Sequence, residues 1–306
     1  MFKNYRGFLW APALLLLLSC GRDAERLRLV YPAKVNYEPL MIANAQGLFP
    51  ENIDVLTVTS GIHAAEALMT GNADMAALGD GPAVMLMARN APVKIIVRYA
   101  QGEHIHSLVT RSDIQTAEAL RGKRIGVQLG SSTHGGLLLW LKAHGLTGDA
   151  LNIIPLSPLD MPDAMATGQI DAMAGSEPWP THVLSRCGNT AHRLEDFSGL
   201  GHLFPHVLMV RTACLSQYRA QIEAVVQAVS EASALINTDP ERAAMYTAAL
   251  SGLKPNQQRA CTARLNWATG WDSTDMQSLQ MTARTMKNFG KIDTVPEIQD
   301  FLQKSP

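Results

Sequence analysis

Short apolar runs rich in β-branched residues alternate with longer amphipathic segments through the first two thirds of the chain. The runs predict strands at 27–31, 53–58, 75–78, 93–99, 124–128, 151–155 and 170–174. Strands that alternate with helices in this way favour parallel sheets covered by helices. Pro39 and Pro82 suit the first turn of a helix, and Gly47 and Gly71 suit helix ends. The pattern therefore predicts an α/β fold.

The last third of the chain has a different pattern. After a strand predicted at 207–211, the remaining segments predict helices at 217–237, 240–250, 255–269 and 275–289. Because only helices follow the α/β part, we expect this C-terminal segment to pack on the outside of the first α/β unit.

An internal repeat appears when the chain is compared with itself at an offset of 97 residues. Residues 66–74, EALMTGNAD, align with residues 163–171, DAMATGQID, and Asp80 aligns with Glu177. Agreement in order across a whole β-α-β-α-β unit predicts two similar lobes. Each lobe is expected to be a mixed sheet flanked by helices, with a ligand cleft between the lobes at the carboxyl ends of the strands. We expect lobe 1 to comprise 20–110 and 206–306, and lobe 2 to comprise 111–205.

The N-terminal residues predict export. Lys3 and Arg6 precede an apolar run over 8–18, which is typical of a signal peptide. The run is too short to span a bilayer, which needs about 20 apolar residues. Cys20 follows Leu-Leu-Ser and resembles the lipidated cysteine of a bacterial lipobox. We therefore expect 1–19 to be a lipoprotein signal peptide and Cys20 to anchor the protein on the outer side of a membrane, in the cell envelope. An ordinary secretory signal with an incidental cysteine is the alternative.

The amino-acid composition limits the kinds of partner that we expect for the protein. The 306 residues include 26 basic and 27 acidic side chains, for a net charge of −1. Because the protein has no excess of positive charge, we do not expect it to bind nucleic acid. Besides Cys20 there are Cys187, Cys214 and Cys261. In an exported protein one disulfide plus one free thiol is the simplest arrangement, although spacing does not choose the pair, and three unpaired cysteines are the alternative.

Loops that follow corresponding strands of the two lobes carry the candidate binding residues. The loop over 130–134, GSSTH, precedes a helix whose N-terminal N–H groups favour an anion, although it also suits a plain helix cap. Asp80 and Glu177 occupy equivalent turns, where they either cap helices or accept a hydrogen bond from an amine or amide of the ligand. Trp179 provides a flat apolar wall or packs in the core.

Histidines cluster near these loops. They are His63, His104, His106, His134 and His182. We expect His104 and His134 to bond the ligand or neighbouring side chains. A zinc or nickel receptor is the alternative that the histidines leave open, but their spacing specifies no metal site, and no cofactor is expected.

The chain resembles the solute-binding proteins of bacterial ABC importers, in the branch for nitrate, aliphatic sulfonates, taurine and thiamine-pyrimidine precursors. The resemblance is carried by 38–49, 71–74, 120–127, 130–133, 168–171 and 177–178. It implies a type II-like periplasmic-binding fold that closes on one small, anionic solute and delivers it to a membrane permease driven by an ATPase. It also implies a monomer and no reaction.

The resemblance also implies specific ligand contacts. They are Asn36, Tyr37, Ser60, His63, Asp80, Ser131, Ser132, Thr133 and Glu177. The chain departs from the family pattern over 60–63 and 103–106, where histidines are not typical. An exported enzyme on the same scaffold is a further alternative, but no nucleophile with a matched base and no phosphate-binding loop stands out.

Overall fold

The computed structural model describes residues 26–303, so the predicted signal peptide and Cys20 lie outside the described residues. The strands are β1 (Leu27–Pro32), β2 (Ile53–Val58), β3 (Met75–Gly79), β4 (Val93–Gln101), β5 (His106–Arg111), β6 (Arg124–Val127), β7 (Asn152–Pro155), β8 (Ala172–Ser176), β9 (Ala191–Asp196), β10 (His206–Arg211) and β11 (Asn266–Gly270).

The helices cover the faces of these strands. They are α1 (Glu38–Ala45), α2 (Gly61–Thr70), α3 (Asp80–Ala88), α4 (Ser132–Ala143), α5 (Met161–Ala166), α6 (Trp179–Cys187), α7 (Arg219–Thr238), α8 (Pro240–Thr247), α9 (Pro255–Thr262) and α10 (Ser273–Asn288). Within 26–303, none of them has the length and apolar character needed to cross a membrane.

Two mixed sheets form the framework. The first has the order β11-β4-β10-β3-β1-β2, and the second has the order β7-β6-β8-β5-β9. In each sheet a parallel trio, β2-β1-β3 or β7-β6-β8, is followed by an antiparallel strand, β10 or β5. The two sheets therefore repeat one arrangement, as the internal repeat in the sequence predicts.

The repeat extends to side chains at the amino ends of the central strands. Asp74 accepts hydrogen bonds from the backbone N of Arg28 at 2.9 Å and from its Nε at 3.1 Å. Asp171 accepts from the backbone N of Arg124 at 3.0 Å and from its Nε at 2.9 Å. Each carboxylate thus fixes the start of a central strand in its own lobe.

The chain crosses from the first sheet to the second between β4 and β5, and returns between β9 and β10. Strand β5 pairs antiparallel with β8 and β9 of the second sheet. The first crossing therefore precedes His106. Phe197 and Phe204 on the return crossing belong to one buried cluster with Tyr31 of β1 and Val127 of β6, so the two lobes share a core. The division into domains at the predicted residues stays a prediction.

The C-terminal segment is not purely helical, which corrects one prediction. The helix predicted over 255–269 ends at Thr262, and β11 then pairs antiparallel with the edge of β4. Trp267, opposite Ala100 of β4, is buried, and this edge pairing stabilises a strand where the sequence favours helix. The segment also contacts more than the first lobe, since α10 packs against both α3 and α4.

The expected disulfide is also corrected. Cys187 and Cys261 are free thiols, and every pair among Cys187, Cys214 and Cys261 includes one of these two. The Cys261 sulfur lies 3.4 Å from Thr181 Oγ1. Burial raises the pKa of the Cys261 thiol to about 12, which leaves it protonated and unreactive at neutral pH.

Candidate functional site

A cavity lies between the lobes, at the carboxyl ends of β1, β3, β6 and β8. The space within it, including the solvent at its mouth, is about 320 Å³. Its lining residues are Lys34, Asn36, Tyr37, Gly61, Ile62, Gly79, Pro82, His106, Gln128, Ser131, Ser132, Thr133, Ser176 and His206. Both sheets therefore contribute side chains to one site.

A second pocket adjoins this cavity and extends to Trp179. Its space, including the solvent at its mouth, is about 260 Å³, and it shares Lys34, Gln128, Ser131, Thr133 and Ser176 with the first pocket. The two pockets are the halves of one interlobe site, and we call them the head half (the cavity with His106 and His206) and the tail half (the pocket with Trp179).

The N-terminus of α4 forms one wall of the head half. Ser131 caps the helix, and its Oγ accepts a hydrogen bond from the His134 backbone N at 3.2 Å. Ser132 Oγ accepts from the Gly81 backbone N of the opposite lobe at 3.2 Å. The helix dipole and the unpaired N–H groups of a first turn favour negative charge. This wall therefore suits an anionic group.

Lys34 supplies a positive charge to the same wall. Its Nζ donates a hydrogen bond to Ser176 Oγ of the second lobe at 3.3 Å and lies 5.8 Å from the centroid of the Tyr37 ring. Burial lowers the pKa of Lys34 to about 8, so the side chain is mostly protonated at pH 7. The half-buried cation is thus held between the lobes.

Two buried histidines, one from each sheet, complete the head half. Asn36 Nδ2 donates to His206 Nε2 at 2.9 Å, which with this amide orientation places the ring proton of His206 on Nδ1. His106 Nδ1 lies 2.8 Å from Thr133 Oγ1. Burial lowers the pKa of His206 to about 4 and that of His106 well below its usual range, so both rings are neutral at pH 7.

Some buried polar atoms of these side chains lack partners. Asn36 Oδ1 and His106 Nε2 have no hydrogen bond within the described part of the chain. Buried polar atoms without partners are uncommon in folded proteins, because each costs about 1–3 kcal/mol. At a cavity wall, such atoms are the groups that a bound ligand satisfies.

The two predicted carboxylates do not line either half. Asp80 is buried beside α10, where Thr282 Oγ1 donates to its Oδ2 at 2.5 Å and His202 Nε2 lies 3.4 Å from the same oxygen. Glu177 is fully buried and accepts a hydrogen bond from Arg193 Nη2 at 2.6 Å. Protein groups bind Glu177 and Asp80 Oδ2, whereas Asp80 Oδ1 has no hydrogen bond within the described residues.

Ser60, His63, His104 and His134 also lie off the cavity lining. Ser60 caps α2 by accepting from the His63 backbone N at 3.5 Å, and the His63 ring is exposed. His104 is exposed on the first crossing, and its Nδ1 lies 2.9 Å from Asp196 Oδ2. His134 is buried within α4, and burial lowers its pKa to about 4.

The structure thus brings together Asn36, Tyr37, Ser131, Ser132 and Thr133 in the head half and places Trp179 in the tail half. Sequence reasoning omitted other lining residues from the binding set, chiefly Lys34, His106, Gln128, Ser176 and His206. Lys34 and Ser176 lie within two residues of predicted ligand contacts, so the predicted loops do contain these lining residues. His206 opens β10, which carries no loop in the repeat that could have pointed to it.

No group of three His, Cys, Asp or Glu side chains among residues 26–303 is arranged to hold a metal ion. The predicted alternative of a zinc or nickel receptor therefore gains no support from the described histidines.

Comparison with known proteins identifies the family to which the chain belongs. The model of the NMT1-like family matches residues 21–252. The taurine-binding periplasmic protein of Escherichia coli (strain K12) is 27% identical over 153 residues, which cover 49% of this chain and 48% of that protein. The putative aliphatic sulfonates-binding protein of the same strain is 29% identical over 208 residues, which cover 67% of this chain and 64% of that protein. The chain therefore spans about half to two thirds of the length of these curated relatives.

Solved structures share the fold. The alkanesulfonate-binding protein SsuA from Xanthomonas axonopodis pv. citri, bound to MOPS, superposes with a TM-score of 0.82 at 24% identity, over 92% of this chain and 99% of that chain. The periplasmic nitrate-binding protein NrtA from Synechocystis PCC 6803 superposes with a TM-score of 0.72 at 15% identity, over 91% and 85% of the two chains. The predicted two-lobed periplasmic-binding fold is thereby confirmed.

Proposed function

Since the chain belongs to the NMT1-like family, we propose that it is the solute receptor of an ABC importer. It captures a small organic anion between its lobes and delivers it to a membrane permease driven by an ATPase. Relatives named for taurine and aliphatic sulfonates support a sulfonate-like solute. The protein binds its solute without chemical turnover.

The convergence of Lys34 and the α4 N-terminus on one cavity is the observation that carries this proposal. Lys34 extends from the first lobe, and Ser131, Ser132 and Thr133 extend from the second. An anion that contacts both sides links the lobes and shifts the protein towards the conformation in which they touch. That conformation is the one that a permease distinguishes from the ligand-free protein.

Isothermal titration calorimetry of the purified protein tests the function. The panel comprises taurine, alkanesulfonates, nitrate, carboxylates and pyrimidines, each with and without EDTA. We expect one site per chain, filled by at least one sulfonate, and no effect of the chelator. Absence of binding by every anion would contradict the proposal, and binding that EDTA abolishes would favour a metal receptor instead.

We further propose that Cys20 carries a lipid that holds the receptor at the outer face of a membrane of the cell envelope, as a monomer. The Leu-Leu-Ser-Cys sequence before the family match supports this anchor. A tether raises the local concentration of receptor near its permease. Mass spectrometry of the mature N-terminus tests it: a diacylglyceryl group on Cys20 is expected, and an unmodified cysteine or cleavage elsewhere would contradict it.

A further inference from the structure

The two halves of the interlobe site differ in character. The head half presents Lys34, His106 and the α4 N-terminus. The residues that line only the tail half are Trp179, Met161, Pro158, Ala174 and Gly175, and its other lining residues are the polar ones that it shares with the head half. Because Lys34 and Ser176 border both halves, the two halves are continuous, with room for one ligand to extend from Lys34 towards Trp179.

Neither half is lined by a carboxylate among the described residues. Three buried carboxylates adjoin lining residues in sequence, and they are Glu38, Asp80 and Glu177. Each bonds other protein groups. Glu38 accepts a hydrogen bond from Thr247 Oγ1 at 2.7 Å. Asp80 bonds Thr282 in α10, and Glu177 pairs with Arg193 and lies 3.6 Å from Arg264 Nε. Gln128 and the hydroxyls supply neutral acceptors only.

The tail half instead presents an unpartnered donor. The Trp179 Nε1–H is buried and has no acceptor within the described part of the chain. An ammonium group has three donors and no acceptor, so it finds no counter-charge there and is repelled by Lys34 at the border. An alkyl group carries no charge that must be desolvated in the same place, and it gains contact with the face of the indole.

We propose that the site selects an organic monoanion with an uncharged, largely apolar tail and discriminates against amino-substituted anions such as taurine. The anionic group lies against Lys34 and the α4 N-terminus, and the tail lies along Trp179. This inference rests on the proposed function, because it assumes that the cleft holds a small organic anion.

Competition between two matched ligands tests the inference. Taurine and 1-propanesulfonate differ by an ammonium in place of a methyl group, and both are titrated into the wild-type protein. We expect 1-propanesulfonate to bind about 100-fold more tightly, because a desolvated charge without a partner is costly. Equal or tighter binding of taurine would overturn the inference and leave the importer function intact. Failure of every anion to bind would count against the proposed function instead.

Variants of the tail half test which residues select between the two kinds of ligand. Trp179→Ala is expected to lower the affinity for 1-hexanesulfonate about tenfold and to leave the affinity for methanesulfonate unchanged. Trp179→Phe is expected to retain the affinity for the longer ligand. A carboxylate placed in the tail half by Pro158→Asp is expected to raise the affinity for taurine relative to 1-propanesulfonate. Equal losses for long and short ligands in Trp179→Ala, with its circular dichroism unchanged, would contradict the assignment of the tail.

Asp80→Asn distinguishes the main rival arrangement, in which taurine reaches the buried Asp80 carboxylate. The unpartnered Asp80 Oδ1 is the atom that such an ammonium would need. We expect this variant to leave the ratio of the two affinities unchanged. A selective loss of taurine binding would show that Asp80 faces the ligand and would overturn the proposal. If the variant does not fold, the wild-type ligand pair alone decides.

Discussion

Lys34 carries the positive charge of the site at neutral pH. The neighbouring rings of His106 and His206 are kept neutral by burial, which lowers their pKa values. Burial also lowers the pKa of Lys34, to about 8, but leaves it protonated under neutral conditions. The contribution of Lys34 to the attraction for an anion therefore depends on one proton and is lost when that proton leaves.

Anion affinity is consequently expected to fall as the pH rises through 8. The free protein loses the Lys34 proton near pH 8, whereas a bound anion holds it, so affinity is constant near pH 6.5 and decreases above 8 by up to about tenfold per pH unit. Titration calorimetry with 1-propanesulfonate between pH 6.5 and 9.5 measures this profile. Lys34→Gln is expected to bind about 100-fold more weakly with a flat profile.

The matched control for Lys34→Gln is Lys142→Gln, the same substitution at an exposed position in the last turn of α4. It should retain both the affinity and the pH profile of the wild-type protein. A Lys34→Gln protein whose affinity still falls above pH 8 would show that another group controls binding.

Asp171 shows how one side chain stabilises the second lobe. The hydrogen bond from Arg124 holds the pKa of the Asp171 carboxyl at about 2, below its ordinary value. Because the pKa is lowered on folding, this stabilisation is fully present above about pH 4 and is lost as the pH falls towards 2. Asp171→Asn is therefore expected to destabilise the protein by about 2 kcal/mol at pH 7 and by much less at pH 2.5.

Urea unfolding at both pH values measures this difference for Asp171→Asn. Asp163→Asn is the control, because its exposed ion pair with Arg186 contributes little. A destabilisation of Asp171→Asn that is equal at the two pH values would contradict the role of its charge.

The hydrophobic pattern of the sequence predicts those strands and helices whose positions depend on neighbouring residues. The strands of both parallel trios lie within two residues of their predicted bounds. β11 was missed, because Asn266 and Gly270 disfavour a strand and only its pairing with the β4 edge stabilises one. His206 was missed for a related reason, since it reaches the cavity through the antiparallel strand β10, whose neighbours are distant in sequence.

The N-terminal ends of α3 and α4 meet across the cleft, and this close approach requires a glycine at position 81. A Cβ at Gly81 would lie 2.7 Å from the Ser132 backbone N and 2.8 Å from the Ser131 carbonyl carbon. Both atoms are backbone of the opposite lobe, so the lobes themselves would have to separate. Gly81→Ala is expected to weaken anion binding at least about tenfold while changing the thermal midpoint of the ligand-free protein little.

Gly135→Ala is the matched control for Gly81→Ala, because a Cβ at Gly135 in α4 meets nothing within 4 Å. It should bind like the wild-type protein in calorimetry. If Gly81→Ala binds with unchanged affinity, the contact between α3 and α4 is not required for capture of the ligand.

At the scale of the whole molecule, the lobes are joined by more than the two crossings. The C-terminal segment reaches the second lobe, where Arg264 lies near Glu177 and the His182 Nε2 lies 3.0 Å from the Ser251 carbonyl oxygen. These contacts join residues far apart in sequence, so no local pattern predicts them, and the expectation of a segment packed only on lobe 1 followed from periodicity alone.

A shared core and a ligand that contacts both lobes together predict how the molecule unfolds. Because Phe197 and Phe204 bury their rings in one cluster with residues of both sheets, we expect a single calorimetric transition. A ligand at 100 times its Kd adds about 2.7 kcal/mol, which raises the midpoint by about 5 °C or more. Differential scanning calorimetry with and without 1-propanesulfonate measures both effects, and small-angle scattering should show a smaller radius of gyration with ligand. Two transitions, of which the ligand shifts only one, would mean that the anion is held by one lobe and does not link the two.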